Sequence, residues 1–227
     1  MKILFSPAKT FKEGIIDSNI FSFKDKTIKI IDIISSWDKK EFINNFKISD
    51  KIYDEVYNYY HLFTENPAYK VYSLYNGQSF ISLDFESLNA EARDYIFDNV
   101  VILDALYGIL KFNDSIKKYR LDYNTKNINP KELWVDEFNN ALSNVIILSL
   151  ASEEFTSLIK SNNLYRLSFV DMINGKRRKI SVTNKQMRGK LLRLIALNGI
   201  DCIDKLPNNI DGYRKIINGK EIEYIKE

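Results

Sequence analysis

The chain is poor in the residues that most often carry chemistry. Its 227 residues include one cysteine and one histidine. Cys202 alone allows no internal disulfide. Set in Ile200-Asp201-Cys202-Ile203, it reads as a packed, unreactive thiol, whereas a peroxide-reducing cysteine needs a low pKa in an electropositive pocket. His61 lies within a tyrosine-rich helical stretch, where a surface or core role outweighs a catalytic one. No His/Cys/carboxylate spacing suits zinc or iron. Cys-x-x-Cys, a Walker loop and Gly-x-Gly-x-x-Gly are all missing. We therefore expect no metal and no cofactor. No run approaches the roughly 18 apolar residues of a membrane span, and Pro7 falls where a signal peptide needs its apolar helix. These features point to the cytoplasm and away from a membrane partner. Proline and glycine are scarce, at 4 and 8 residues, and no repeat, low-complexity tract or linker divides the chain. One domain over residues 1–227, acting as a monomer, is the expectation.

What is present is an ordinary globular mixture, 45% hydrophobic and 28% charged, with 14 Phe and 14 Tyr arguing against long disordered tracts. Lys2–Phe5 reads as a strand ending in Ser6-Pro7. Apolar spacing gives a helix near 28–37. Ser49 is a candidate N-cap for a helix to about Glu65. Val71–Tyr75 reads as a strand closed by Asn76-Gly77, and 84–98 as a helix. Val100–Leu103 and Val145–Leu150 read as buried strands. Asn129-Pro130 opens a helix to about Leu142, and Ser152 caps a further one. Asn-Gly pairs predict two late hairpins, Leu167–Ile173 with Lys179–Thr183 and Arg214–Ile217 with Glu221–Ile225. Asn184 is the expected cap of the helix between them, which ends at Asn198-Gly199. The predicted class is α/β (α+β): a mixed sheet with surrounding helices and late β-hairpins.

Net charge is only +3, but no acidic residue occurs between Met172 and Ile200. That stretch carries Lys176, Arg177, Arg178, Lys179, Lys185, Arg188, Lys190 and Arg193. It reads either as a solvated face with counter-charges supplied in space or as an anion-binding surface. Polar loops follow the buried strands: Ser6-Pro7-Ala8-Lys9-Thr10 after the first, Ser152-Glu153-Glu154 after the strand ending near Leu150. Each alone also reads as ordinary turn and cap residues. If the strands run parallel, both loops emerge at the carboxyl edge, where open α/β sheets bind ligands. Lys185 and Arg188 share a helix face. Lys118-Tyr119-Arg120 adds a basic and aromatic group suited to phosphate and base contacts. We expect Lys9, Lys51, Lys185 and Arg188 to line one cleft with Ser6 and the Glu153-Glu154 turn.

Several segments in order resemble the YaaA peroxide-stress family. They are Lys2–Thr10, Ile48-Ser49-Asp50-Lys51, Leu103–Leu110 with Tyr119-Arg120-Leu121-Asp122, Leu133-Trp134, Leu150–Phe155, Lys185-x-x-Arg188-Gly189 and Gly212-Tyr213. The resemblance spans nearly the whole chain. Departures from the family pattern fall at Gln78, Asp104, Ala105, Lys111, Phe112 and Ser149, and the chain is short for the family. The resemblance implies a family-specific fold with a positively charged cleft, protection from hydrogen peroxide by limiting iron-dependent oxidative damage, and binding to double-stranded DNA. It also implies a helix-hairpin-helix-like element, whose best local fit is Leu103–Leu110. Two functions follow as expectations. One is a DNA-binding protective protein using Lys9, Lys51, Lys118, Tyr119, Arg120, Arg177, Arg178, Lys185 and Arg188, poorly sequence-specific and salt-sensitive. The other is an enzyme acting on a nucleotide or nucleic-acid base, with Ser6, Lys9, Lys51 and Glu153 as catalytic candidates. A third role, holding iron, has no ligand cluster in the sequence.

Overall fold

The computed structural model describes residues 1–18 and 23–227. Strand β1 (Lys2–Phe5) is apolar and buried after Lys2, and β2 (Ile16–Asp17) follows. Helix α1 (Asp25–Ser35) buries Ile30, Ile31 and Ile34. Helix α2 (Lys39–Phe46) opens with a capping box: the Asp38 side chain accepts from Glu41 N, and Glu41 accepts from Asp38 N. Helix α3 (Tyr53–His61) buries Val56 and Tyr60. A 3-10 turn at Asp50–Ile52 precedes it, so Ser49 makes no side-chain cap.

The strand expected at 71–75 is corrected. Strand β3 (Ala68–Lys70) comes earlier and runs straight into helix α4 (Val71–Leu74), where Val71 and Leu74 are buried on one face. The helix expected from Asp84 also shifts. Helix α5 (Gln78–Leu83) precedes it, Asp84 takes a left-handed C-cap at φ 48°, and α6 (Ala90–Asn99) begins at Asn89, whose side chain accepts from Ala92 N. Strands β4 (Val100–Asp104) and β5 (Gly108–Leu110) form a tight antiparallel pair. Leu103–Leu110 is therefore a strand-turn-strand and not a helix-hairpin-helix element. Strand β6 (Ser115–Ile116), helix α7 (Pro130–Ala141), strand β7 (Ile147–Ser149) and the single-turn helix α8 (Glu153–Thr156) follow.

The first late hairpin joins β8 (Leu164–Ile173) to a short β9 (Lys176–Arg178). Helix α9 (Ser181–Leu197) starts earlier than Asn184. Asn184 is buried inside it, accepting from Phe169 N (3.0 Å) and donating to Phe169 O (2.8 Å), so its side chain pins the helix to β8 and caps nothing. Strand β10 (Asn209–Ile210) precedes the second hairpin, β11 (Tyr213–Asn218) and β12 (Glu221–Lys226), which turns at Gly219 as expected.

Among the described residues the main sheet has nine strands, in the order β10-β11-β12-β8-β7-β1-β4-β5 with β9 also on β8; β2, β3 and β6 form a second small sheet. β1 lies between β4 and β7 and is parallel to both; β7, β8 and β12 continue the parallel run. The chain thus extends from β1 to β4 on one side and later to β7 and β8 on the other. The β1–β7 boundary is a topological switch point, and loops leaving the carboxyl ends of strands β1, β4 and β7 share one edge. One hydrophobic cluster runs from Ile3 to Tyr224 and takes in α5, α6, α7 and α9. No helix among the described residues is long and apolar enough to cross a membrane.

Candidate functional site

At that shared edge lies a cavity of about 560 Å³, within the range of small-molecule sites. Its walls come from segments far apart in sequence, and each is held by a specific contact. The 6–10 loop is tied to the 76–78 turn: Asn76 N donates to Thr10 O (2.9 Å) and the Thr10 hydroxyl to Asn76 O (3.0 Å). A Cβ on Gly77 would sit 2.9 Å from the Ala8 Cβ, so only glycine allows this approach. Across the switch point, Ser152 N donates to Ser6 Oγ at 3.0 Å, which leaves the Ser6 hydroxyl proton free for another acceptor.

The wall at 119–125 is clipped by two tyrosines. Tyr107 OH donates to Lys117 O (2.9 Å) and accepts from Lys117 N (3.1 Å); Tyr60 OH does the same with Arg120 O (2.5 Å) and Arg120 N (3.0 Å). Asp122 then closes a turn by accepting from Asn124 N (2.9 Å), and its other oxygen meets Lys9 Nζ at 2.8 Å. The last wall is α9. Here a Cβ on Gly189 would lie 2.1 Å from Ser79 O, so α9 lies directly against α5 and carries Lys185 and Arg188 to the cavity. Arg193 fixes the same contact further on by donating to Leu83 O (3.0 Å) and Asp84 O (2.9 Å).

Behind Ala105 and Tyr119 is a fully buried carboxylate, Asp104. Its Oδ1 accepts from Leu106 N (2.8 Å) and Tyr107 N (2.9 Å); its Oδ2 accepts from Tyr75 OH (3.0 Å) and from Tyr119 OH. Burial raises the Asp104 pKa above the usual carboxylate range, partly offset by those four donors. Tyr75 and Tyr119 are pushed well up, chiefly by burial and then by the Asp104 charge. Asp122 is the opposite case. Burial works against its charge, but the Lys9 hydrogen bond, the Asn124 N–H and the charges of Lys9 and Lys47 hold its pKa below the usual value.

Arg188 is the least satisfied group. It is half-buried, its Nε is buried without a partner, and its guanidinium makes no hydrogen bond or ion pair among the described residues. Desolvation pulls its pKa down to about 10, so it stays charged at neutral pH. Asn45 Nδ2 and Tyr123 OH, also on cavity-lining residues, are likewise buried without partners. Five cations, Lys9, Lys47, Arg120, Lys185 and Arg188, line the cavity against two carboxylates, Asp122 and Glu154.

Of the residues singled out from sequence, Ser6, Lys9, Tyr119, Arg120, Lys185 and Arg188 line this cavity. Lys51, Glu153, Lys118, Arg177 and Arg178 do not. Lys51 is exposed in the 3-10 turn, and Glu153 points outward while Glu154, one residue on, faces the cavity wall. Lys118 lies over the Tyr69 ring. Arg177 is ion-paired with Glu223, and Arg178 is exposed on β9. Lys185 and Arg188 lie in the second and third turns of α9 rather than its first, so the helix dipole bears little on them. Sequence reasoning gave no role to Asn45, Lys47, Tyr75, Tyr123 or Asp122. Asp122-Tyr123-Asn124 is a turn signature that could have located that wall; Asn45 and Lys47 carry no local signal. Among the described residues no group of three or more His, Cys, Asp or Glu side chains is placed to hold a metal ion.

These features define an open α/β protein with a ligand-sized cavity at the topological switch point of its sheet. The family described as Peroxide stress protein YaaA matches residues 1–215, and the chain belongs to that family. It is 32% identical to a UPF0246 protein of Finegoldia magna, over 100% of this chain and 98% of that one. A UPF0246 protein of Fusobacterium nucleatum is also 32% identical, over 94% and 92% of the two chains. One from Crocosphaera subtropica is 30% identical over the full length of both.

Proposed function

We propose that this peroxide-stress family member binds nucleic acid at the carboxyl edge of its sheet, and that occupancy there protects DNA from iron-dependent oxidative damage. The observation that carries the reading is the excess of cationic side chains converging on one edge from four separate segments, with Arg188 held there unpaired. The β8–β9 hairpin extends beyond the carboxyl end of β7 and carries Lys176, Arg178 and Lys179, all exposed, so flanking phosphates have cations outside the cavity as well. Contacts of this kind are directed at phosphate and carry little sequence information.

A salt titration of duplex binding by fluorescence anisotropy tests this. Arg178→Ala with Lys179→Ala should weaken unrelated sequences about equally and lower the log–log salt slope by roughly 0.9 for each phosphate no longer neutralised. Arg177→Ala should change it less, because that guanidinium is engaged by Glu223. An unchanged affinity and slope in the double variant would make the hairpin a plain solvated surface.

A second reading is an enzyme acting on a nucleotide or base in the same cavity. It is favoured by enclosure: about 560 Å³ lies within the range of small-molecule sites. Ser6, with its hydroxyl proton uncommitted, and the Lys9–Asp122 pair are the polar groups placed for such chemistry.

A further inference from the structure

We propose that the cavity is a site for a nucleotide bearing a terminal phosphate monoester, with Arg188 as the anchor of the phosphate and Lys185 as its second cation. This rests on the reading that the edge binds nucleic acid or its units, and it goes further by fixing the chemical class. Three observations converge on it. The first is the unpaired, half-buried Arg188: a guanidinium this desolvated and without an internal acceptor is costly unless a ligand supplies one. Its planar fork of donors matches a phosphate's oxygens. Lys185, one turn earlier on the same helix face, is exposed and makes no ion pair among the described residues.

The second is the charge balance. Lys9 is matched by Asp122, but Lys47, Arg120, Lys185 and Arg188 have no hydrogen bond or ion pair from their side chains among the described residues. The remaining lining carboxylate is Glu154. A phosphate monoester, which carries nearly two negative charges near pH 7, balances this excess better than the single charge of a backbone diester. The third is the rest of the lining. Phe46, Tyr123 and Phe155 supply aromatic surface for a base, and Tyr123 OH and Asn45 Nδ2 are unpartnered polar atoms on the same walls.

The monoester has two sources, a free mononucleotide or a phosphorylated strand end, and the same experiment separates them. Calorimetric titration of the full chain with the four 2′-deoxynucleoside 5′-monophosphates, their nucleosides and inorganic phosphate is compared with 5′-phosphorylated and 5′-hydroxyl single strands. At least one monophosphate should bind roughly tenfold or more tightly than its nucleoside. Arg188→Gln, and independently the surface change Lys185→Gln, should each remove most of that advantage. Arg188 makes no hydrogen bond among the described residues, so its replacement by Gln should leave the melting temperature within a few degrees of the parent. A preference confined to the phosphorylated strand over its hydroxyl form assigns the strand end as the source. Equal binding of nucleotides and nucleosides, or monophosphate binding indifferent to both substitutions, overturns the proposal. If duplex binds while no monophosphate or phosphorylated end does, this proposal fails and the nucleic-acid reading stands; if nothing phosphorylated binds at all, both fail.

Discussion

Asp104 shows how much a single side chain commits the interior. A buried carboxylate is costly unless its lone pairs are filled, and here two backbone N–H groups and two tyrosine hydroxyls fill them, with no cation among the partners. The two N–H bonds build the β4–β5 turn, and the two hydroxyls fix Tyr75 and Tyr119, the second of which is a cavity wall. Because burial raises the folded-state pKa above that of the unfolded chain, the native state holds this proton more tightly. Its contribution to stability is therefore fullest below about pH 4, the ordinary carboxylate value, and is lost as pH rises through the elevated folded value. Asp104→Asn removes that dependence. Urea unfolding of both proteins between pH 4 and pH 8 should show the parent losing stability relative to the variant as pH rises. A constant difference across the range would mean that Asp104 does not titrate in this way.

At the scale of elements, the contact between α9 and α5 decides where Lys185 and Arg188 lie. Gly189 sits mid-helix, where propensity alone says that alanine would be better by about 1 kcal/mol. A Cβ there would instead meet the Ser79 carbonyl at 2.1 Å and Leu83 N at 2.9 Å, both backbone atoms that cannot swing aside. The clash should win. Gly189→Ala is expected to destabilise the protein by roughly 1–3 kcal/mol, the usual scale for overpacking, and to displace Arg188 along with the helix. Chemical denaturation gives the first effect; a melting point equal to or above the parent's would show that the two helices separate cheaply. The same contact explains part of what was legible in the sequence. Buried runs such as Val100–Asp104 and Ile147–Ser149 and the second Asn-Gly turn are local signals, and they appear as strands and a hairpin close to where periodicity places them. The structure departs from the strand expected at Val71–Tyr75 and the cap expected at Asn184 because their roles are set by partners distant in sequence: Asn184 answers to Phe169, and Val71 N to Asp114 O at 2.9 Å. The cavity was half legible for the same reason. Ser6, Lys9 and Arg188 follow strands or share a helix face, whereas Asn45 and Lys47 arrive through the end of α2, which nothing near them in the chain foretells.

For the molecule as a whole, the sheet is continuous from β10 to β5, and one apolar cluster covers it. Trp134, fully buried with its Nε1 donating to Ala105 O (2.9 Å), reports on the β4–β5 turn; Trp37 packs against Phe42 and Phe46 near α2. Because one apolar cluster spans these regions, tryptophan fluorescence and far-UV circular dichroism should report coincident thermal unfolding transitions. Two resolved transitions would divide the chain into separately folding units.

The position of β12 has a consequence for biosynthesis. It fills the place between β8 and β11, pairing with β8 from Glu221↔Arg166 to Lys226↔Asp171. Until residue 226 has been made, β8 presents an open row of backbone donors and acceptors over those residues. At about 5–20 residues per second, that row waits roughly 3–11 s after the ribosome has passed Asp171. An unpaired apolar strand edge in a crowded cell is an invitation to neighbouring nascent chains. We expect translation to be the stage at which this architecture is most exposed, and synthesis in a chaperone-depleted extract should lower its soluble yield.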